Sequence, residues 1–369
     1  MISTRTLALA LAISLPDGTA LAQPAWTGGD DLPTRPLSCD GRGDEATPPK
    51  FYDGGEPANP PARAGGKITV VDVPRLTGVG YYAATARGMR EAAAELGNVD
   101  VKTVGPTQIS IDRQVTFIDN YVTTGVDGVL FAANDPVAVA PVLRKALAKG
   151  INVVGYDSDA SPEARQWFIN RAEPNGIAKA LVDAMARDIG KDGAFAILTS
   201  TFSAPVQGRW IAEMAAYAAK CHPEMIWLGT EEAQEDGALA ARQAALLMRR
   251  HGAALKGVIS LTNFATPAVA QAVTQAGKCG AVSVVGVATP NAMKPHVISG
   301  CVRSVVLWNP VDLGYAALYV LRAAADGTLL PGATSVSAGR LGELRVDGSE
   351  VQLGLPFVYT AENINDFDF

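Results

Sequence analysis

The sequence is poor in histidine and cysteine and, past its first residues, has no long apolar run. The histidines number three, His222, His251 and His296, scattered without metal-ligand spacing. A metal centre and a Ser-His relay are therefore not expected. No G-x-x-x-x-G-K-[ST] phosphate loop and no G-x-S-x-G nucleophile elbow occurs. Acidic and basic residues are interspersed, with a net charge of -6, so the basic stripe that nucleic acid demands is missing. No mature segment reaches the roughly 20 apolar residues that cross a bilayer. One motif points the other way. Gly78-Val79-Gly80-Tyr81-Tyr82-Ala83 fits the G-x-G-x-x-G/A dinucleotide fingerprint between a strand and a helix. The next strand, however, ends in Gly105-Pro106 instead of an acidic residue, and two tyrosines fill the space a pyrophosphate needs. The expectation is a chain with no cofactor and no enzymatic activity.

What is present begins at the amino terminus. Arg5, the apolar run Leu7 to Leu15, the break at Pro16-Asp17-Gly18 and the small-x-small Ala20-Leu21-Ala22 read as a signal peptide over 1–22, cleaved before Gln23. The mature chain is then expected in the periplasm. Its four cysteines, Cys39, Cys221, Cys279 and Cys301, are an even number in an oxidising compartment. Cys279 and Cys301 each precede an apolar strand in one β-α-β unit, and parallel neighbours lie about 4.8 Å apart. This pair is within disulfide reach, and Cys39 with Cys221 follows by elimination; four free thiols are the alternative.

Residues 23–66, rich in Pro, Gly and Asp, read as an irregular extension. From Lys67 onward, β-branched runs alternate with Ala-rich amphipathic stretches in two series, the second opening at Ala194. Continuous Val/Ile runs are strands buried on both faces, and the alternation implies parallel sheets covered by helices. The fold class is α/β, with two doubly wound parallel-sheet lobes joined by a hinge. The lobes are expected at 67–157 plus 309–335 and at 158–308 plus 336–369, with hinge crossings near 157–159, 308–310 and 330–334.

In such sheets ligands bind outside the carboxyl ends of the strands. The residues following the strands include Arg75, Tyr81, Tyr82, Asp157, Asp159, Gln207, Arg209, Asn263, Thr289 and Trp308. Flat aromatic faces beside carboxylates, amides and guanidinium groups match a sugar, which has apolar C–H faces and a rim of hydroxyls. Each residue also has a local alternative. Tyr81 and Tyr82 are adjacent, so one of them is a candidate for the core. Asp157 can cap a helix, Asp159 can face solvent, Arg209 can be a surface charge, and Trp308 can be hinge packing.

The order of motifs carries a resemblance. These are the run Pro74 to Tyr82, Gly105-Pro106-Thr107, Asp157-Ser158-Asp159, Pro290 to Pro295, Leu307-Trp308, Glu362-Asn363-Ile364 and the closing Asp366-Phe367-Asp368-Phe369. From Lys67 to Phe369 the chain resembles the periplasmic sugar-binding proteins of ABC transporters, in the ribose-binding class. Within it the chain is most similar to the branch of autoinducer-2 and rhamnose receptors. The resemblance implies the type I periplasmic binding protein fold, a small sugar-like ligand held by hinge closure, an ABC permease in the inner membrane as partner, and a monomer. Arg75 stands where the autoinducer-2 receptors carry a ligand-binding lysine, and Asp157 matches their aspartate. Val206-Gln207 replaces their Asp-Gln pair, and Leu261-Thr262-Asn263 replaces their Pro-x-Ala. These departures favour a pentose, deoxyhexose or polyol over autoinducer-2. A sensing subunit for a membrane kinase or chemoreceptor is the alternative role.

Overall fold

The computed structural model describes residues 39, 50–58, 64–78, 80–172, 174–202, 205–234 and 236–369. The expected signal peptide and most of the extension lie outside the described residues.

The chain alternates as its apolar pattern predicts. β1 (Ile68–Val73), α1 (Gly80–Leu96), β2 (Val99–Thr103), α2 (Ile111–Thr124), β3 (Gly128–Phe131), α3 (Ala140–Ala148), β4 (Asn152–Tyr156) and β5 (Trp167–Asn170) come first. Their strands pair in parallel in the order β2-β1-β3-β4-β5. A second series follows, with α4 (Pro174–Ile189), β6 (Ala194–Thr199), α5 (Pro205–Cys221), β7 (Ile226–Glu232) and α6 (Gly237–His251). It continues through β8 (Leu255–Ser260), α7 (Ala265–Gln275), β9 (Ser283–Gly286), α8 (Pro290–Ile298) and β10 (Ser304–Leu307). This sheet runs β7-β6-β8-β9, again parallel, and a parallel bridge from Val287 to Val306 brings β10 alongside. α9 (Pro310–Ala325) returns to the first sheet and lies on α1 and β4. Short strands β11 (Ser335–Ser337), β12 (Glu343–Asp347) and β13 (Glu350–Gln352) extend that sheet beyond β5, and β14 (Phe357–Thr360) pairs antiparallel with β10.

β3, β4 and β6 are buried at every residue, which is why they read as unbroken apolar runs. α1 and α9 approach backbone to backbone. A methyl group on Gly88 would meet the carbonyl of Val311, and one on Gly314 the carbonyl of Thr85.

The sheet membership corrects the expected lobe boundaries. β5 does not open the second lobe, because it pairs with β4 at Val154–Trp167 and stays in the first sheet. Residues 343–352 also join the first sheet, through the parallel pairing of β13 with β5. The chain passes between the sheets after β5 at residue 171, after β10 at Trp308, and between β13 and β14 at 353–356. The expected crossing at 330–334 instead links α9 to β11, both on the first sheet. β5 and β13 are short interior strands, β5 between β4 and β13 and β13 between β5 and β12, and apolar content alone does not reveal which sheet they join.

The described part of the extension is irregular, yet it packs against the first lobe. Gly55 N–H donates to the Arg165 carbonyl at 2.9 Å and Ala58 N–H to that of Leu147 at 2.9 Å. The Tyr52 ring lies 5.0 Å from that of Trp167. The disulfides present are Cys279–Cys301, with Cα atoms 4.8 Å apart, and Cys39–Cys221, at 5.5 Å. This is the pairing that the strand pattern implies.

Candidate functional site

Asp157 follows β4 and turns the chain. Ser158 N–H donates back to the Tyr156 carbonyl at 2.6 Å, with Asp157 between them at φ 63°. Left-handed backbone is unfavourable for most residues, and aspartate is among the few side chains that tolerate it. Such strain persists where its surroundings hold it in place. Here the carboxylate, on a residue only 8% exposed, is held by three side chains. Tyr81 Oη donates to Oδ1 at 2.9 Å and Tyr82 Oη to Oδ2 at 2.9 Å. Arg171 Nη1 donates to Oδ1 at 2.9 Å and also to the Asp157 carbonyl at 2.9 Å. Burial, reinforced by the carboxylate, pushes both tyrosine hydroxyls well above their usual range, so both remain donors.

The two tyrosines open α1 on adjacent positions, and both reach the same carboxylate. Their rings meet edge to face, with centroids 5.1 Å apart. Trp308, just after β10, donates from Nε1 to Tyr81 Oη at 2.6 Å. Its ring faces the Arg171 guanidinium at 4.9 Å, and the Trp210 ring of α5 lies 5.9 Å from the same group. One network thus joins the ends of β4, β5 and β10 to the starts of α1 and α5. A carboxylate, a guanidinium and indole faces converge where the two sheets meet.

The other expected residues are placed as follows. Arg75 follows β1; its Nε lies 3.4 Å from Asn134 Oδ1, while Asn134 Nδ2 donates to the Arg75 carbonyl at 2.9 Å. Buried Gln114 orients Asn134 by accepting its N–H at 2.8 Å. Asp159 is drawn away from the network. It accepts from Arg165 Nε at 3.0 Å and Nη2 at 2.8 Å, and Arg165 also binds Ser349 beside β13. Burial raises the Asp159 carboxyl and the Arg165 partner opposes that shift. On the second lobe, Gln207 and Arg209 lie in the first turns of α5, and Arg209 Nε is buried with no hydrogen-bond partner among the described residues. Asn263, after β8, accepts the Thr289 N–H at 2.8 Å.

Arg171, Trp210 and Asn134 belong to this region and were not among the expected residues. Arg171 and Asn134 each follow a parallel strand, so the same strand-end rule applied to β5 and β3 reaches them. A hollow of about 420 Å³ at the end of β2 is lined by Gly105, Pro106, Thr107 and residues of α2. None of the Asp157 network lines it.

The comparisons agree with this architecture. The periplasmic binding protein domain model matches residues 70–329. A sugar ABC transporter from Actinomyces odontolyticus is similar at 30% identity and a TM-score of 0.77, over 86% of this chain and 100% of that one. An ABC transporter solute-binding protein from Clostridium phytofermentas, with bound L-rhamnose, is similar at 26% identity and a TM-score of 0.67, over 81% and 98%. LsrB from Clostridium saccharobutylicum, in complex with AI-2, shares the fold at 22% identity and a TM-score of 0.68, over 82% and 100%. The matched span runs through both doubly wound sheets and the passages at Arg171 and Trp308, and it makes this chain a member of the periplasmic binding protein family.

Proposed function

We propose that this chain is an exported receptor that binds a sugar-like molecule between its two lobes and delivers it to an ABC permease. The observation that carries the reading is the Asp157–Arg171–Trp308 network at the carboxyl ends of the strands. It presents aromatic faces beside charged hydrogen-bonding groups at the place where open α/β sheets bind ligands. The sugar ABC transporter similarity and the rhamnose-bound relative support it. The signal-peptide pattern of 1–22 supports export to the periplasm, and a monomer is the proposed state.

The mechanism is closure about the passages at 171, 308 and 353–356. A ligand touching both lobes favours the closed form by its differential affinity for that form. Arg75, Tyr81, Tyr82, Asp157 and Trp308 are the proposed contacts from the first lobe and its passages; Gln207, Arg209, Asn263 and Thr289 are those from the second. Asp159 serves the adjoining Arg165 pair.

A thermal-shift screen of the mature protein against pentoses, hexoses, deoxysugars, polyols and autoinducer-2 tests the reading. Ligand at a hundredfold excess over Kd stabilises the native state by about 2.7 kcal/mol. A stabiliser recovered chemically unchanged supports a receptor; turnover of that ligand, or no stabiliser in the panel, counts against it.

A further inference from the structure

The groups around the cleft are unequally committed. The carboxylates and amide oxygens at the strand ends are engaged. Asp157 Oδ1 already receives Tyr81 and Arg171, and Oδ2 receives Tyr82. Both carboxylate oxygens of Asp159 face Arg165. Asn263 Oδ1 is used by Thr289 N–H, and Asn309 Oδ1 by Val311 N–H.

Donors remain. Arg75 forms no ion pair among the described residues, and its one side-chain hydrogen bond is a long 3.4 Å contact to an amide. Arg209 has a buried Nε without a hydrogen-bond partner among the described residues. It adjoins Trp210, which stands against Arg171. Glu213, one turn further along α5, is buried; burial raises its carboxyl and the Arg209 charge pulls against that shift, though no hydrogen bond or close ion pair joins the two among the described residues. A guanidinium has five N–H donors and accepts nothing, and a buried donor left unmade is costly. A neutral sugar brings as many donors as acceptors, and the Asp157 and Asp159 carboxylates that would suit its donors are already engaged by tyrosine and arginine. A carboxylate brings acceptors alone, in the bidentate form that guanidinium matches.

We propose that the ligand is an anionic monosaccharide, a sugar acid, whose carboxylate is taken by Arg75 from the first lobe and Arg209 from the second. Its ring lies against the aromatic faces around Asp157. This rests on the sugar-receptor reading above and narrows its ligand class. Bridging the lobes through one carboxylate also couples binding to closure, since each arginine supplies contacts from one lobe only.

The test is calorimetric titration of the mature, disulfide-intact protein with matched cyclic pairs, D-galacturonate and D-galactose, D-glucuronate and D-glucose, D-mannuronate and D-mannose, and with L-rhamnose and D-arabinose as further neutral sugars. The expected result is that at least one acid binds tenfold or more tighter than its neutral parent, with affinity that falls as salt rises. Arg75→Gln and Arg209→Gln each remove tenfold or more from the acid and little from the parent, whereas Arg75→Lys retains part of the preference. A neutral parent that binds as tightly as its acid overturns this proposal and leaves the sugar-receptor reading standing. Binding by no member of either set overturns both.

Discussion

The Arg171 guanidinium lies over the Trp308 ring, its carbon 4.9 Å from the indole ring centroid. One residue follows β5, where the chain leaves the larger sheet; the other follows β10, where it returns. Two passages between the sheets are therefore tied by a single contact, and the same guanidinium is bound to Asp157 at 2.9 Å. A partly desolvated cation–π contact is worth about 1–2 kcal/mol. The ion pair matters more when it is broken than when it forms, because the partner left behind is buried.

Arg171→Met should leave the Asp157 carboxylate, only 6% exposed as a side chain, without its cation. Breaking a buried pair on one side costs about 3–5 kcal/mol. Equilibrium unfolding in urea, followed by circular dichroism, should show that loss. The double variant Arg171→Met with Asp157→Asn should recover part of it. A single variant as stable as the parent would mean the pair contributes no net stability.

Asp157→Asn keeps a side chain that tolerates left-handed backbone but removes the charge that faces Arg171. Asparagine offers one acceptor oxygen where the carboxylate offers two, so Tyr81 and Tyr82 can no longer both be served as they are now. The proposed ligand should bind at least tenfold more weakly in calorimetry, while unfolding stays cooperative. Unchanged affinity would take Asp157 out of the site.

Much of this arrangement was legible in the sequence. Asp157, Tyr81, Tyr82 and Trp308 were reachable because each follows a strand that declares itself by continuous burial. The adjacency of the tyrosines was misleading, since two neighbouring side chains at a helix start can still converge on one carboxylate beyond the helix end. Arg171 was missed together with β5. That strand is only four residues long, Trp167–Asn170, and its apolar content does not say which sheet it joins, so the strand-end rule does not reach the residue after it without the pairing to β4. The β12–β13 pair was hidden for a related reason: its residues alternate exposed and buried, a pattern that suits the edge of either sheet. Asp159 and Arg165 show the opposite failure. A carboxylate two positions from Asp157 looks equivalent in sequence, but the turn at Asp157 sends it to a different partner.

The interior of the first sheet carries a titrating group. Asp72, on β1, is fully buried and accepts from Tyr156 Oη at 2.8 Å and Thr103 Oγ1 at 2.9 Å. Burial raises its carboxyl from 3.8 to about 7, against the pull of those two donors. Between these values the folded chain holds a proton that the unfolded chain has released, so stability falls as pH rises through that window and levels off above it. From pH 5 to pH 8 the loss from this group is about 3 kcal/mol. Asp72→Asn, which cannot ionise, should lack that component. Denaturant titrations of both proteins at the two pH values read the difference, and parallel pH dependence would remove Asp72 as its source.

Two helix glycines, one in the α1–α9 crossing and one at the start of α6, meet different surroundings. Gly314 sits in α9 with its α-carbon against the Thr85 backbone, and an added methyl group there has nowhere to go because the atom it meets is a carbonyl in another helix. Overpacking of this kind costs about 1–3 kcal/mol, and more when backbone must move. Gly237, at the start of α6, would place its methyl at 3.4 Å from the Phe264 carbonyl and 3.5 Å from Ala268, an ordinary contact. Replacing a glycine where the new residue fits stabilises by about 0.4–1 kcal/mol, through the lower entropy of the unfolded chain. Gly314→Ala should therefore lower the melting temperature and Gly237→Ala should raise it slightly. Because α9 packs on α1, whose first turn carries Tyr81 and Tyr82, Gly314→Ala should also weaken ligand binding, while Gly237→Ala leaves it alone. Equal and small effects of the two substitutions would show that α1 and α9 do not meet as closely as their glycines require.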